Sequence, residues 1–67
     1  MNGLDLIKLK IALQNFIDDK LTADDVIIMK QYGYVQSIPN GQELVIVYPE
    51  KQDIKIVLQK IKNKLGE

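Results

Sequence analysis

Apolar residues recur every three or four positions near the start of the chain, a spacing that predicts a helix from about Leu4 to Asp19. On a helical wheel they form two stripes on different sides of the helix. A helix in a domain of 67 residues usually buries one stripe, so we expect the smaller stripe to remain for a partner. The larger stripe holds Leu6, Leu9, Leu13, Phe16 and Ile17, and the smaller holds Leu4, Ile7 and Ile11.

The same segment also has the pattern of a strand. Between residues 4 and 13, the apolar Ile7, Leu9, Ile11 and Leu13 alternate with other residues at a period of two. A strand here gives an alternative order of β-α-β-β-α. The length of the pattern, its continuation beyond residue 13 and its good helix formers favour the helix.

A second helix has signals at both of its ends. Thr22 is suited to cap a helix, and Asp25 three residues later completes a capping box. Gly33 suits the left-handed position just beyond a helix end. These signals predict a helix from about Ala23 to Tyr32. Its apolar residues point nearly all round, so we expect it to be central or covered on more than one side.

Two short β-prone runs follow, joined by Asn40-Gly41, the dipeptide favoured in two-residue type I′ hairpin turns. Pairing about that turn sets Ile38 opposite Glu43. Both faces of the hairpin are then largely apolar, so that helices must cover it or another chain must pair with it. We expect one face, with Val35, Ser37, Leu44, Ile46 and Tyr48, to lie against helices, and the outer face to hold Tyr34, Gln36, Ile38, Val45 and Val47.

Pro49 ends the second strand, and a final helix is predicted from Lys51 or Gln52 to Leu65. Its apolar residues fall on one narrow face, except for Ile56, which projects from the opposite side. Together the elements predict a single α+β domain over residues 1–67, in the order α-α-β-β-α. The antiparallel hairpin is expected to pack against the helices.

Composition narrows the chemistry that the chain can carry. It has no Cys and no His, so the usual nucleophiles, general bases and soft metal ligands are missing. Acidic pairs flank the joint between the first two helices, at Asp18-Asp19 and Asp24-Asp25, but their spacing does not fit a calcium-binding loop. We therefore expect no enzymatic activity, no metal and no cofactor. No signal peptide or membrane-spanning run is apparent, which favours a cytoplasmic location.

Nine basic residues, all of them Lys, balance nine acidic ones. Without a net positive charge or any Arg, nucleic-acid binding is less expected than binding to protein. The leading hypothesis is a small interaction module, homodimeric and of regulatory type. The alternatives are a DNA-associated regulator that uses the Lys-rich last helix, and an inhibitor or adaptor that presents the acidic joint to a basic partner. The residues predicted for the protein interface are Leu4, Ile7, Ile11, Tyr34, Ile38, Val45, Val47 and Ile56, and those for the nucleic-acid alternative are Lys55, Lys60 and Lys62.

Overall fold

The computed structural model describes residues 3–66, which form three helices and one two-stranded antiparallel sheet. The predicted α+β fold in α-α-β-β-α order is confirmed, and the alternative in which residues 4–13 form a strand is wrong. Met1, Asn2 and Glu67 lie outside the described residues, and the predicted domain limits fall on them. The elements are α1 (Gly3–Ile17), α2 (Ala23–Gln31), β1 (Gln36–Asn40), β2 (Glu43–Val47) and α3 (Lys51–Lys64).

The short loop between α1 and α2 is held by hydrogen bonds at both helix ends. At the end of α1, the Lys20 N–H donates to the Asn15 carbonyl at 2.8 Å, and Asp19 takes a left-handed φ of 59°. At the start of α2, the Thr22 Oγ1 accepts from the Asp25 N–H, and the Asp25 carboxylate accepts from the Thr22 N–H. The predicted capping box is therefore confirmed.

The glycine ending predicted for α2 also forms. Gly33 has a φ of 82°, and the N–H of Tyr34 donates to the carbonyl of Met29 at 2.9 Å. The N–H of Gly33 donates to the carbonyl of Lys30, which completes a Schellman motif. This reversal carries Val35 back into the core, where it is 2% exposed, and so fixes where the hairpin begins.

The central helix is α1, because it packs against both α2 and α3. The prediction that α2 is central or covered on more than one side is wrong: it lies at the side against α1, and its Ile27 is 56% exposed. The physical reason is length, since the 15 residues of α1 offer two long flanks and the nine of α2 do not. The core of buried side chains is made of Leu9, Ala12, Leu13, Met29, Val35, Ile54, Leu58 and Ile61.

The hairpin turn lies one residue later than predicted. Asn40 pairs with Glu43, so that the two loop residues are Gly41 and Gln42. Gly41 has a φ of 67°, whereas Gln42 does not have a positive φ. A positive φ at the first loop residue alone is the pattern of a type II′ turn, and the predicted type I′ turn needs one at both residues.

Pro39 explains why the predicted register is not adopted. That register pairs Pro39 with Gln42 in the hydrogen-bonded pair that closes the turn, where Pro39 has no N–H to donate. In the structure Pro39 lies opposite Leu44, the next pair along, where no N–H is needed between the strands. The correction moves each partner by two positions, so Ile38 faces Val45 instead of Glu43. A shift of two keeps every side chain on its predicted face.

The predicted packing of the hairpin against the helices is also wrong beyond the base of the hairpin. Both strands are exposed along their length, with only Ser37 half-buried. The molecule measures 45 × 24 × 17 Å. Its radius of gyration is 12.6 Å, against about 11 Å for a compact domain of this length. The hairpin therefore projects away from the helices.

Candidate interaction surface

The smaller apolar stripe of α1 lies on the side of the helix that faces away from the core. Leu4, Ile7 and Ile11 are between 45% and 61% exposed. Leu9 and Leu13, on the other side of the helix, are almost fully buried. The helix thus separates an inner and an outer apolar face, and the exposure predicted for the outer one is confirmed.

The projecting hairpin exposes apolar side chains on both faces. Ile38, Val45 and Val47 lie exposed on the face predicted to be open. The face predicted to be covered is exposed as well, with Leu44 and Ile46 in solvent. No signal in the sequence identifies these last two, because both faces are apolar and the pattern does not tell which one a helix covers.

Two residues predicted for the interface have different surroundings. Tyr34 is half-buried and packs against the core, because the Schellman ending of α2 turns it inward. Ile56 is 54% exposed, on the side of α3 opposite the buried Ile54, Leu58 and Ile61. Tyr34 therefore belongs to the base of the hairpin, and Ile56 remains a single exposed side chain on α3.

The two long edges of the hairpin differ in their hydrogen-bonding groups. With a loop of two residues, the pair next to the loop is hydrogen-bonded, and the pairs then alternate. Pro39–Leu44 and Ser37–Ile46 are the non-hydrogen-bonded pairs, whose backbone groups point outward. The outer edge of β2 thus presents complete N–H and C=O groups at two residues. The outer edge of β1 has no N–H at Pro39.

Two side-chain contacts lie close to the base of the hairpin. The rings of Phe16 and Tyr48 stack with centroids 6.1 Å apart and planes 15° from parallel. The Lys51 Nζ forms an ion pair of 2.6 Å with Asp19 Oδ1. An open groove of about 280 Å³ lies beside these contacts, lined by Phe16, Asp19, Leu21 and Tyr48. The ring contact joins the end of the hairpin to α1, and the ion pair joins the start of α3 to the loop between α1 and α2.

One carboxylate of the acidic joint, that of Asp25, is buried and hydrogen-bonded in the fold. Asp25 is 6% exposed, and its carboxylate accepts a hydrogen bond of 2.9 Å from Asn15 Nδ2. Burial raises the pKa of Asp25, but the hydrogen bonds from Asn15 and Thr22 outweigh it, so the pKa lies below its ordinary value. Asp19 is paired with Lys51. Asp25 thus serves the fold, whereas Asp18, Asp19 and Asp24 remain exposed.

The lysines of α3 do not converge on one face. Lys55 and Lys60 are five residues apart, which on a helix places them about 140° from each other. Lys62 lies near Lys55 on the helical wheel, and it is half-buried while the other two are exposed. A single phosphate backbone cannot contact all three side chains from one side of the helix, so the arrangement gives the nucleic-acid alternative little support.

Within residues 3–66, no group of three or more acidic side chains is placed to hold a metal ion. No helix in the same range has the length and apolar character needed to cross a bilayer. The main chemical feature of this range is its exposed apolar surface.

Comparison of the chain with known protein families, with characterised proteins and with solved structures found no match.

Proposed function

We propose that this chain is a small non-enzymatic protein-interaction module that forms a symmetric homodimer. The observation that carries the proposal is the projecting hairpin, whose apolar side chains are exposed on both faces. A two-stranded hairpin is marginally stable in water, and it gains stability from further strands or from a layer packed on it. A partner that supplies either one also removes this apolar surface from water.

The accessible surface area of the chain supports an interface of modest size. Its accessible surface is 4828 Å² for a mass of 7.7 kDa, whereas a compact monomer of that mass exposes about 4300 Å². The excess is about 500 Å² per chain. Two copies that bury it together remove about 1,000 Å², the lower end of specific interfaces between proteins.

A second copy is the partner that the charges favour. The formal net charge is zero, so two copies do not repel each other at long range. The strands β1 and β2 carry one charged side chain, that of Glu43, and an equally uncharged surface complements them best. A closed two-fold dimer also covers the same patch on both chains and leaves none of it open for further growth.

Light scattering behind size exclusion, over a range from low micromolar to millimolar concentration, tests the proposal. We expect the mass of a dimer at the upper end of the range. Val45→Lys places a charge on the hairpin and is expected to give a monomer. Ile27→Lys is the matched control, because Ile27 is at least as exposed but lies on α2, and it should remain dimeric. A monomer at every concentration, or equal dimerisation of the two variants, contradicts the proposal.

A further inference from the structure

We propose that two copies of the chain pair antiparallel through the outer edges of their β2 strands. The two hairpins then form one four-stranded sheet in the order β1-β2-β2-β1. This inference rests on the proposed homodimer and adds the way in which its chains meet. It makes the backbone of β2, in addition to the side chains, the binding element.

The hydrogen-bonding groups of the two edges select β2. Its outer edge presents the N–H and C=O groups of Leu44 and Ile46, which lie in non-hydrogen-bonded pairs with β1. On β1, the corresponding positions are Pro39 and Ser37, and Pro39 has no N–H. Proline on an edge is a common means of blocking strand addition, so β1 is protected where β2 is not.

The side chains of β2 favour an antiparallel partner of the same sequence. β2 is Glu43–Val47, with its charge at one end and four apolar residues after it. When two copies run antiparallel about a two-fold axis near Val45 or Ile46, their Glu43 side chains lie at opposite ends of the contact. The two carboxylates are then on the order of 13 Å or more apart along the strands. A parallel pairing in register sets them side by side.

Edge pairing also makes each two-stranded hairpin part of a four-stranded sheet. Three or more strands are needed for a sheet of independent stability, and pairing raises the number from two to four. Edge pairing leaves β1 at both outer edges, and there the missing N–H of Pro39 opposes further addition of strands. The assembly is therefore expected to stop at two chains.

Amide hydrogen exchange measured by NMR on the unmodified chain reads the pairing directly. In a monomer, the N–H groups of Leu44 and Ile46 face solvent and exchange rapidly. We expect their exchange to slow by roughly tenfold or more as the protein concentration is raised through the monomer–dimer transition. The N–H of Ser37, on the outer edge of β1, should exchange rapidly at every concentration.

Two proline variants provide a matched pair, because Ser37 and Ile46 face each other in one non-hydrogen-bonded pair. Each substitution removes an outward N–H and leaves the bonds between β1 and β2 in place. We expect Ile46→Pro to be monomeric and Ser37→Pro to dimerise as the unmodified chain does. Retained protection of the Val45 and Val47 amides checks that the hairpin of each variant is intact.

Disulfide formation gives a readout that does not depend on the proline variants. The chain has no Cys, so a single introduced thiol reports on one position. Residues paired across a two-fold axis have Cα atoms about 4.5 to 5.5 Å apart, within disulfide range. We expect Val45→Cys or Ile46→Cys to give covalent dimers on mild oxidation. Ile38→Cys, directly across the hairpin from Val45, should not.

The outcomes separate this inference from the proposed function. A dimer whose Leu44 and Ile46 amides exchange as fast as that of Ser37 overturns edge pairing and leaves the homodimer standing. Protection of Ser37 in place of Ile46, or cross-linking of Ile38→Cys alone, assigns the contact to β1 and also overturns it. A monomer at every concentration contradicts both.

Discussion

The side-chain amide of Asn15, near the end of α1, donates a hydrogen bond of 2.9 Å to the carboxylate of Asp25 in the first turn of α2. The same carboxylate accepts from the backbone N–H of Thr22. One buried charge thus caps α2 and joins it to the central helix. This link holds the helical layer from which the hairpin projects.

Replacing Asp25 should therefore destabilise the whole helical layer. We expect Asp25→Ala to lower the free energy of unfolding by roughly 2 kcal/mol, because it removes the carboxylate half of the capping box and the bond to Asn15. Asp24→Ala, at the adjacent exposed position, should change it by less than about 1 kcal/mol. Urea unfolding at one fixed protein concentration measures both. Equal effects of the two changes contradict the role given to Asp25.

The same group predicts a dependence on pH. The pKa of Asp25 is lower in the folded chain than its ordinary value of 3.8. Its contribution to stability is therefore fully present above the unfolded pKa, and it is lost as the pH falls through the folded pKa. The stability difference between the unmodified chain and Asp25→Asn should be constant near neutral pH and shrink below about pH 4. Urea unfolding from pH 7 to pH 2 measures it, and an unchanged difference at low pH argues against the shift.

Asp19 occupies a left-handed backbone conformation, with a φ of 59°. Asp19→Ala and Asp19→Gly lose the same ion pair with Lys51, but only Ala meets the steric cost of that conformation. We expect the glycine variant to be the more stable of the two by about 1 kcal/mol. Lys51→Ala should cost at most about 1 kcal/mol, since the pair is exposed. Thermal unfolding of the three variants tests this, and a less stable glycine variant contradicts it.

The turn residues provide a test of the corrected register. Gly41→Ala should weaken the hairpin by about 1 kcal/mol, because its φ of 67° disfavours a Cβ although nothing lies within 4 Å of the added atom. Asn40→Ala should have a small effect, since Asn40 has no positive φ. In the turn expected from the sequence, both substitutions are strained. Exchange rates of the Val45 amide measure the hairpin, and a similar loss in both variants favours the uncorrected turn.

The stacked pair of Phe16 and Tyr48 should set the orientation of the hairpin relative to α1. Tyr48→Ala is expected to cost about 1 kcal/mol and to increase amide exchange in β1 and β2 more than in the helices. Tyr48→Phe keeps the ring and should behave as the unmodified chain does. Uniform loosening of helices and hairpin in the alanine variant contradicts this role.

Local signals in the sequence were sufficient for the order of the elements and for the caps of α2. The Thr22 capping box, the Gly33 ending and the apolar stripes of α1 depend on residues within one or two turns of each other, so they are readable without the fold. The outward stripe of α1 was found for the same reason. The predicted type I′ turn follows the strong preference of Asn40-Gly41. The missing N–H of Pro39 is a second local constraint, and it disfavours that turn.

Which apolar faces are covered depends on how the elements pack against one another in the tertiary structure. Both faces of the hairpin are apolar, and the periodicity of a strand does not say which neighbour lies above it. The inner faces of α1, α2 and α3 pack on one another around Leu13 and Met29, and the hairpin does not cover the exposed stripe of α1. This packing depends on the lengths and crossing angles of all three helices together. The apolar pattern therefore predicts the hairpin, and the packing of the helices leaves that hairpin exposed with an open β2 edge.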